Sequence, residues 1–124
     1  MILHIDVPWL LDVQEQAVPE DVSVADYSAF VAAVARHKTR IPRPATADPD
    51  PAWRAAALLH TLIRLQPLPY RNSLFASQVT AAYMHASGEA IDPHHGAMVE
   101  LVRDIQDSKA TVYQAADRIR TWRL

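Results

Sequence analysis

Apolar residues recur along most of this chain at intervals of three and four, the spacing that places them on one face of an α-helix. Strand-like alternation of apolar and polar residues is almost absent, and nine prolines against two glycines mark corners between the apolar stretches. The pattern therefore predicts an all-α fold of about six helices. Their expected spans are residues 7–16, 24–37, 51–65, 72–87, 93–107 and 109–122.

Short polar residues, several of them next to a proline, predict where the helices begin, because their side chains can accept a hydrogen bond from a free N–H group of the first turn. The third helix is apolar on most sides and is expected to be central. Residues 39–51 hold four prolines and are expected to form an exposed connection that suits a flap over a site. The expected N-caps are Asp6, Ser23, Asp50, Asp92 and Ser108, and Gly88 is the expected left-handed end of the fourth helix.

Composition adds limits but no specific function. With 124 residues, 50% of them hydrophobic and 21% charged, the chain fits a single globular domain over residues 1–124. A net charge of −2 gives no cationic surface for nucleic acid or a membrane, so a protein or small molecule is the expected partner. The absence of cysteine excludes disulfides and thiolate metal sites. Asp6 interrupts the apolar start that a secretory signal needs, and we expect a cytoplasmic protein.

The strongest candidate for chemistry is the loop of residues 66–76, which is rich in proline and leads into the long fourth helix. The free N–H groups of a helix's first turn point at one place and can hold an anion such as phosphate. Arg71 adds a guanidinium group with paired N–H donors there, and Asn72 adds a potential cap. Arg64, one turn before the loop, could reach the same anion, although the helix dipole explains its position equally well.

The order of elements resembles the Fic/Doc family: a short helical start, a proline-rich flap, a buried helix, an Asn-containing loop and a long helix ending in Gly. The resemblance covers nearly the whole chain. It includes the sixteen-residue interval from Asn72 to Gly88 and the closing Ala-Ala-Asp-Arg-Ile-Arg segment. The small size is closer to the Doc-type toxins of bacterial toxin–antitoxin modules than to the larger Fic enzymes.

The family motif reads His, any residue, Phe, any residue, Asp or Glu, Gly or Ala, Asn, Lys or Gly, Arg, and it matches residues 66–74. The resemblance implies that the histidine removes a proton from the attacking hydroxyl, the acid holds magnesium and the arginine grips phosphate. These three positions hold Gln66, Tyr70 and Leu74 here, whereas the motif asparagine is retained as Asn72. The site residues implied are Gln66 and Asn72 at catalytic positions, and Arg64, Arg71, Asn72 and Ser73 around a nucleotide, with no metal ligand.

Members of the family transfer AMP or a phosphoryl group to a protein hydroxyl, so the resemblance implies ATP with Mg²⁺ for an active form. Losing a general base alone costs about 10²–10⁴ in rate. Losing the metal ligand and the arginine as well removes most of the charge stabilisation that phosphoryl transfer needs. Activity would need Arg71 as a substitute phosphate clamp and a base from another segment. The candidate bases are His60, His85, His94 and His95.

Several hypotheses therefore stay open. The first is a Doc-like toxin with a cognate antitoxin and a protein substrate. The second is a catalytically dead Fic/Doc fold that serves as a protein-interaction module and uses no cofactor. The third is a recruited enzyme that uses Arg71, Asn72 and His60 for unrelated chemistry. None of the three involves nucleic acid or a membrane, and the sequence leaves the oligomeric state open.

Overall fold

The computed structural model describes residues 2–18, 24–39 and 50–124. This part of the chain contains helices and no β-strand, which confirms the expected all-α class for the residues described. Residues 40–49 of the expected flap over residues 39–51, and the expected cap Ser23, lie outside them. The helices are α1 (Val7–Ala17), α2 (Tyr27–Lys38), α3 (Pro51–Leu65), α4 (Asn72–Ala86), α5 (Ala97–Gln106) and α6 (Val112–Thr121).

Helix α3 is central, as its apolar sequence predicts. It packs against α2, α4, α5 and α6, and every residue from 52 to 59 is buried. The short side chains of residues 55–57, all alanine, leave room for neighbouring helices to approach closely. Helix α1 packs on the outside of this arrangement, against α2 and α4.

Two predicted helix starts are confirmed in detail. The Asp6 carboxylate accepts a hydrogen bond from the Trp9 N–H at 3.0 Å, and the Asp50 carboxylate accepts one from the Trp53 N–H at 3.0 Å. Pro in the first turn of both helices does no harm, because that N–H would have no intrahelical partner. Gly88 has φ +82°, the left-handed conformation expected after α4.

The predicted start of α2 is wrong, and so is part of its buried face. The helix begins at Tyr27, where Asp26 is the N-cap and accepts from the Ser28 N–H. The spacing of apolar residues predicts one stripe of Val24, Tyr27, Phe30, Val31 and Val34, but Tyr27 and Val31 are 56% and 59% exposed. The buried face carries Ala29, Phe30, Ala33 and His37 instead.

The starts of α5 and α6 also differ from the prediction. Helix α5 begins behind Gly96 rather than Asp92. The Asp92 N–H donates to the Trp122 carbonyl at 2.7 Å, the preceding Ile91 forms a β-bridge with Arg123, and residues 92–96 are not helical. Helix α6 begins behind Thr111 rather than Ser108. Ser108 has φ +59°, unlike the extended conformation of an N-cap. The Thr111 side chain instead forms a reciprocal capping box with Gln114.

Buried polar groups fasten the segment before α1 to the core. The Ile5 N–H donates to Nε2 of His37 at 3.0 Å, and Nδ1 of His37 bonds to the Val34 carbonyl. The Tyr83 hydroxyl donates to the Leu3 carbonyl at 2.6 Å. Since Nε2 accepts, the imidazole carries its proton on Nδ1 and is neutral. Burial, opposed by the Val34 hydrogen bond, lowers the pKa of His37 to about 4.

Candidate functional site

The loop between α3 and α4 begins and ends with a residue whose backbone is in the left-handed conformation. Gln66, the C-cap of α3, has φ +47°, and Arg71, the N-cap of α4, has φ +62°. A residue with a side chain is about 1–2 kcal/mol less stable in this conformation, so surrounding contacts must hold the loop. One such contact is the Pro67 carbonyl, which accepts from the Ala25 and Asp26 N–H groups at 2.7 and 3.1 Å.

Asn72 holds the loop from within. Its Oδ1 accepts from the Leu68 N–H at 2.9 Å, and its Nδ2 donates to the Leu68 carbonyl at 2.9 Å. The expectation that Asn72 caps α4 is wrong, since it is the first helical residue and Arg71 takes the N-cap position without a side-chain capping bond. Asn72 thus has a structural task that the sequence did not show.

A small cavity of about 230 Å³ lies against this loop. Its lining contains no His, Asp or Glu in the described part of the chain, so it offers neither a general base nor a carboxylate for a cation. The side chains present therefore do not fit a magnesium-bound nucleotide. The lining residues are Ile63, Gln66, Pro69, Tyr70, Arg71, Asn72, Ser73 and Gln106.

The structure does not bring Arg64 to this cavity. Its Nη1 donates to Ser108 Oγ at 2.7 Å, on the connection between α5 and α6. Its neighbour there is His60, which takes a hydrogen bond at Nδ1 from Nη1 of Arg36 at 2.9 Å. Arg36, His60 and Arg64 line a separate cavity of about 400 Å³.

The remaining candidate bases also lie away from the loop. His85 is exposed in the last turn of α4, and His94 and His95 are exposed before α5. In the described ranges no group of three or more His, Asp or Glu side chains is arranged to hold a metal ion. Of the predicted site residues, Arg71, Asn72 and Ser73 lie together at the start of α4, where an anion could bind. The described residues that line the small cavity at this loop provide neither a base nor a carboxylate for a metal ion.

A larger groove of about 610 Å³ lies beside the loop, between α4 and α5. Leu74 and Val99 face it and are 39% and 61% exposed, which is high for large apolar side chains that line one groove. The lining residues are Ser73, Leu74, Ser77, Gln78, Ala81, Ile91, Pro93, Met98, Val99, Val102, Arg103 and Gln106.

Small residues line the α4 side of this groove. Ser73, Ser77 and Ala81 are four residues apart, so they lie on one face of α4. Ser77 Oγ donates to the Ser73 carbonyl at 2.7 Å, and Gln106 Nε2 donates to Ser73 Oγ at 3.3 Å. These hydroxyls therefore have partners already. Arg103 is the charged residue among the described residues of the lining.

The sequence did not predict this groove. The available signal was in α5, where Met98 and Val99 add apolar residues beside the buried face of Leu101, Val102 and Ile105. A helix that is apolar on more than one side has more than one face to cover.

Comparison with known proteins gives no further guide to identity. No family model and no curated protein matches this chain. Within the described residues, no helix is both long and apolar enough to cross a membrane.

Proposed function

We propose that this chain acts by binding a protein partner in the groove between α4 and α5, as a Fic/Doc-like fold that lacks the chemistry of that family. The observation that carries the proposal is the position of Leu74. It stands where the family motif has its phosphate-gripping arginine, and it is a partly exposed apolar wall of the groove. A motif position that would serve a nucleotide has become part of an apolar contact surface.

The loop cavity supports the same conclusion. With Gln66 and Tyr70 at the positions of the base and the acid, none of its described lining residues can take up a proton near neutral pH or offer a carboxylate to Mg²⁺. The groove offers a large, mostly apolar surface next to it. Burial of apolar surface is the main source of affinity in such contacts.

The partner that fits this groove is an amphipathic helix. The groove lies between two helices, and the small residues on its α4 side leave room for a third, which is the helix-in-groove arrangement with anchors at i, i+3 or i+4, and i+7. Arg103 favours an acidic residue on the polar edge of the incoming helix. The resemblance to Doc-like toxins implies that this helix belongs to a cognate antitoxin.

Binding experiments with groove variants test the proposal. The first step is to establish whether the adjacent reading frame encodes a helical protein, and peptides covering its helical segments are then titrated by fluorescence polarisation. Loss of an anchor contact at a groove centre weakens binding by about 2 kcal/mol, or roughly thirtyfold. We expect this loss in Leu74→Arg and in Val99→Asp, with circular dichroism unchanged.

The matched control is Val31→Asp, because Val31 is 59% exposed on α2, almost the same as Val99 at 61%. This variant should bind as tightly as the unchanged chain. Equal binding by all four proteins, or an equal loss in Val31→Asp, would overturn the assignment of the groove.

The second candidate is an active Doc-like transferase. The observation that favours it is the start of α4, where Arg71 is the N-cap and leaves the first-turn N–H groups without a side-chain cap. Calorimetry with ATP and Mg²⁺, followed by transfer of labelled ATP to lysate proteins, tests this directly. We expect neither binding nor label, and labelling abolished by Arg71→Ala would establish the enzymatic function.

A further inference from the structure

Two arginines from different helices meet in the cavity of about 400 Å³ between α2, α3 and the start of α6. Arg36 lies in the last turn of α2, and Arg64 lies in the last turn of α3. No Asp or Glu lines this cavity in the described part of the chain. The lining residues are Arg36, His60, Arg64, Ile105, Ser108, Ala110, Thr111, Val112 and Tyr113.

The contacts of these arginines differ from those of the other arginines nearby. Arg118, Arg120 and Arg123 each bond to a carboxylate at 2.6–2.9 Å. Arg36 instead donates to two neutral acceptors, His60 Nδ1 at 2.9 Å and Thr61 Oγ1 at 3.2 Å. Arg64 donates to Ser108 Oγ and, at 3.4 Å, to the Ile105 carbonyl.

Burial makes the missing negative charge significant. Arg36 is partly buried, and this burial lowers its pKa. Charges removed from water are usually paired with an opposite charge, since the cost of desolvation is otherwise uncompensated. Neither Arg36 nor Arg64 has such a carboxylate among the described residues, so the cavity has an excess of positive charge.

His60 adds a donor without adding charge. Since Nδ1 accepts from Arg36, the imidazole proton is on Nε2. Burial, together with the charges of Arg36 and Arg64, lowers the pKa of His60 to about 4. The imidazole is therefore neutral at pH 7, and its pKa reports the local charge.

We propose that this cavity binds a phosphomonoester, with the phosphate held between Arg36 and Arg64. Two cations match the two negative charges of the phosphate at neutral pH, and guanidinium groups recognise phosphate oxygens through paired N–H donors. A carboxylate has only one charge and two oxygens. The organic part of the ligand lies against Val112 and the ring of Tyr113 in the lining.

Hydroxyl groups at the mouth of the cavity complete the set of donors. Ser108 Oγ accepts from Arg64, and Thr111 Oγ1 accepts from the Gln114 N–H. The hydrogen of each hydroxyl can therefore be donated to an oxygen of the phosphate. This site is separate from the loop and from the groove. Phosphate binding at this site does not depend on whether a protein partner binds in the groove.

Titration of His60 by NMR tests the proposal on the full chain. The probes are phenyl phosphate, inorganic phosphate and benzoate. We expect phenyl phosphate to bind most tightly and to raise the pKa of His60, because its charge offsets Arg36 and Arg64. Inorganic phosphate should raise the same pKa with weaker affinity, and benzoate should not.

The variants are Arg64→Gln, which removes an exposed cation, and Arg123→Gln as a control with the same change in charge far from the cavity. We expect about tenfold weaker binding of phenyl phosphate in Arg64→Gln, the effect of losing one charged hydrogen-bonding partner, and no change in Arg123→Gln. Three results would overturn the proposal: no response of His60 to millimolar phenyl phosphate, equal affinity in Arg64→Gln, or binding of benzoate as tight as that of phenyl phosphate.

Discussion

At the scale of single residues, His37 shows how one buried side chain can join distant parts of the chain. It accepts from the Ile5 N–H, and its own carbonyl accepts from Arg54 at 2.9 Å. The segment before α1, the end of α2 and the start of α3 therefore meet at this residue. The sequence did not reveal this role, because nothing in the spacing of residues indicates that Ile5 lies beside α2.

The neutral state of His37 predicts that the fold weakens in mild acid. Its pKa is about 4 in the folded chain and about 6.5 when unfolded, so the unfolded chain binds more protons between these values. Stability is complete above pH 6.5 and falls as the pH decreases towards 4. The full effect of His37 is a decrease of about 3 kcal/mol in the free energy of unfolding. Most of this decrease falls between pH 7.5 and 4.5, where urea unfolding measures it.

The comparison is with His37→Gln and with His85→Gln, which changes an exposed histidine. The His37→Gln protein should be less stable at pH 7.5 and should lose less stability on acidification, with His60 accounting for part of the remaining loss. The same pH dependence in His37→Gln as in the unchanged chain would show that His37 does not titrate as described.

At the scale of elements, the helix starts show which sequence signals are sufficient. Asp6 and Asp50 have a proline beside or near them and an apolar helix after them, and both are caps. Asp92 has the same local signature, but its N–H group is bonded to the chain near the C-terminal end of α6. That contact joins residues 30 positions apart, and no local pattern contains it. An aspartate followed by proline is therefore not a sufficient signal, and α5 begins only behind Gly96, which has φ +85°.

Asp50 and Asp92 thus form a matched pair for mutation. Asp50 caps α3, and both its oxygens bond to Arg120 at 2.7 and 2.9 Å. We expect Asp50→Ala to lower the free energy of unfolding by about 1–3 kcal/mol, mostly from the cap because the ion pair is partly exposed. Asp92→Ala should change it by less than about 0.5 kcal/mol. Thermal and urea unfolding would check both values.

The pH dependence gives a second test of Asp50. Partial burial acts to raise its pKa, but hydrogen bonds from Arg120 and the Trp53 N–H and the charge of Arg120 outweigh that effect and lower it. A lowered pKa means that the contribution is present above the unfolded value and is lost as the pH falls through the folded value. The stability difference between the unchanged chain and Asp50→Ala should therefore shrink in strong acid.

At the scale of the whole molecule, α3 determines how closely the other helices can pack. The order of the helices and the central place of α3 could be predicted, because a helix that is apolar on most sides has to be covered on most sides. The groove and the pair of Arg36 and Arg64 could not be predicted, because each depends on how two helices are oriented against each other, and the spacing of residues within one helix does not give this. His60 and Arg64 are four residues apart, which indicates a shared face, but nothing local adds Arg36.

Enlarging one of the central alanines tests this close packing. Ala56 is fully buried, so Ala56→Leu must displace a neighbouring helix. We expect a loss of about 1–3 kcal/mol in the free energy of unfolding. Ala35→Leu on the exposed side of α2 makes the same chemical change and should be nearly neutral. Urea unfolding that leaves both variants equally stable would mean that α3 has free space around it.

The ion pair between Asp50 and Arg120 also has a consequence for synthesis of the chain on the ribosome. Its members are 70 residues apart, which at a typical speed of translation corresponds to roughly 4–14 seconds. During this interval α3 is already made, while α6, which covers one of its sides, is not. The newly made chain therefore exposes an apolar helix for seconds, and this helix is the segment where we expect a ribosome-associated chaperone to bind.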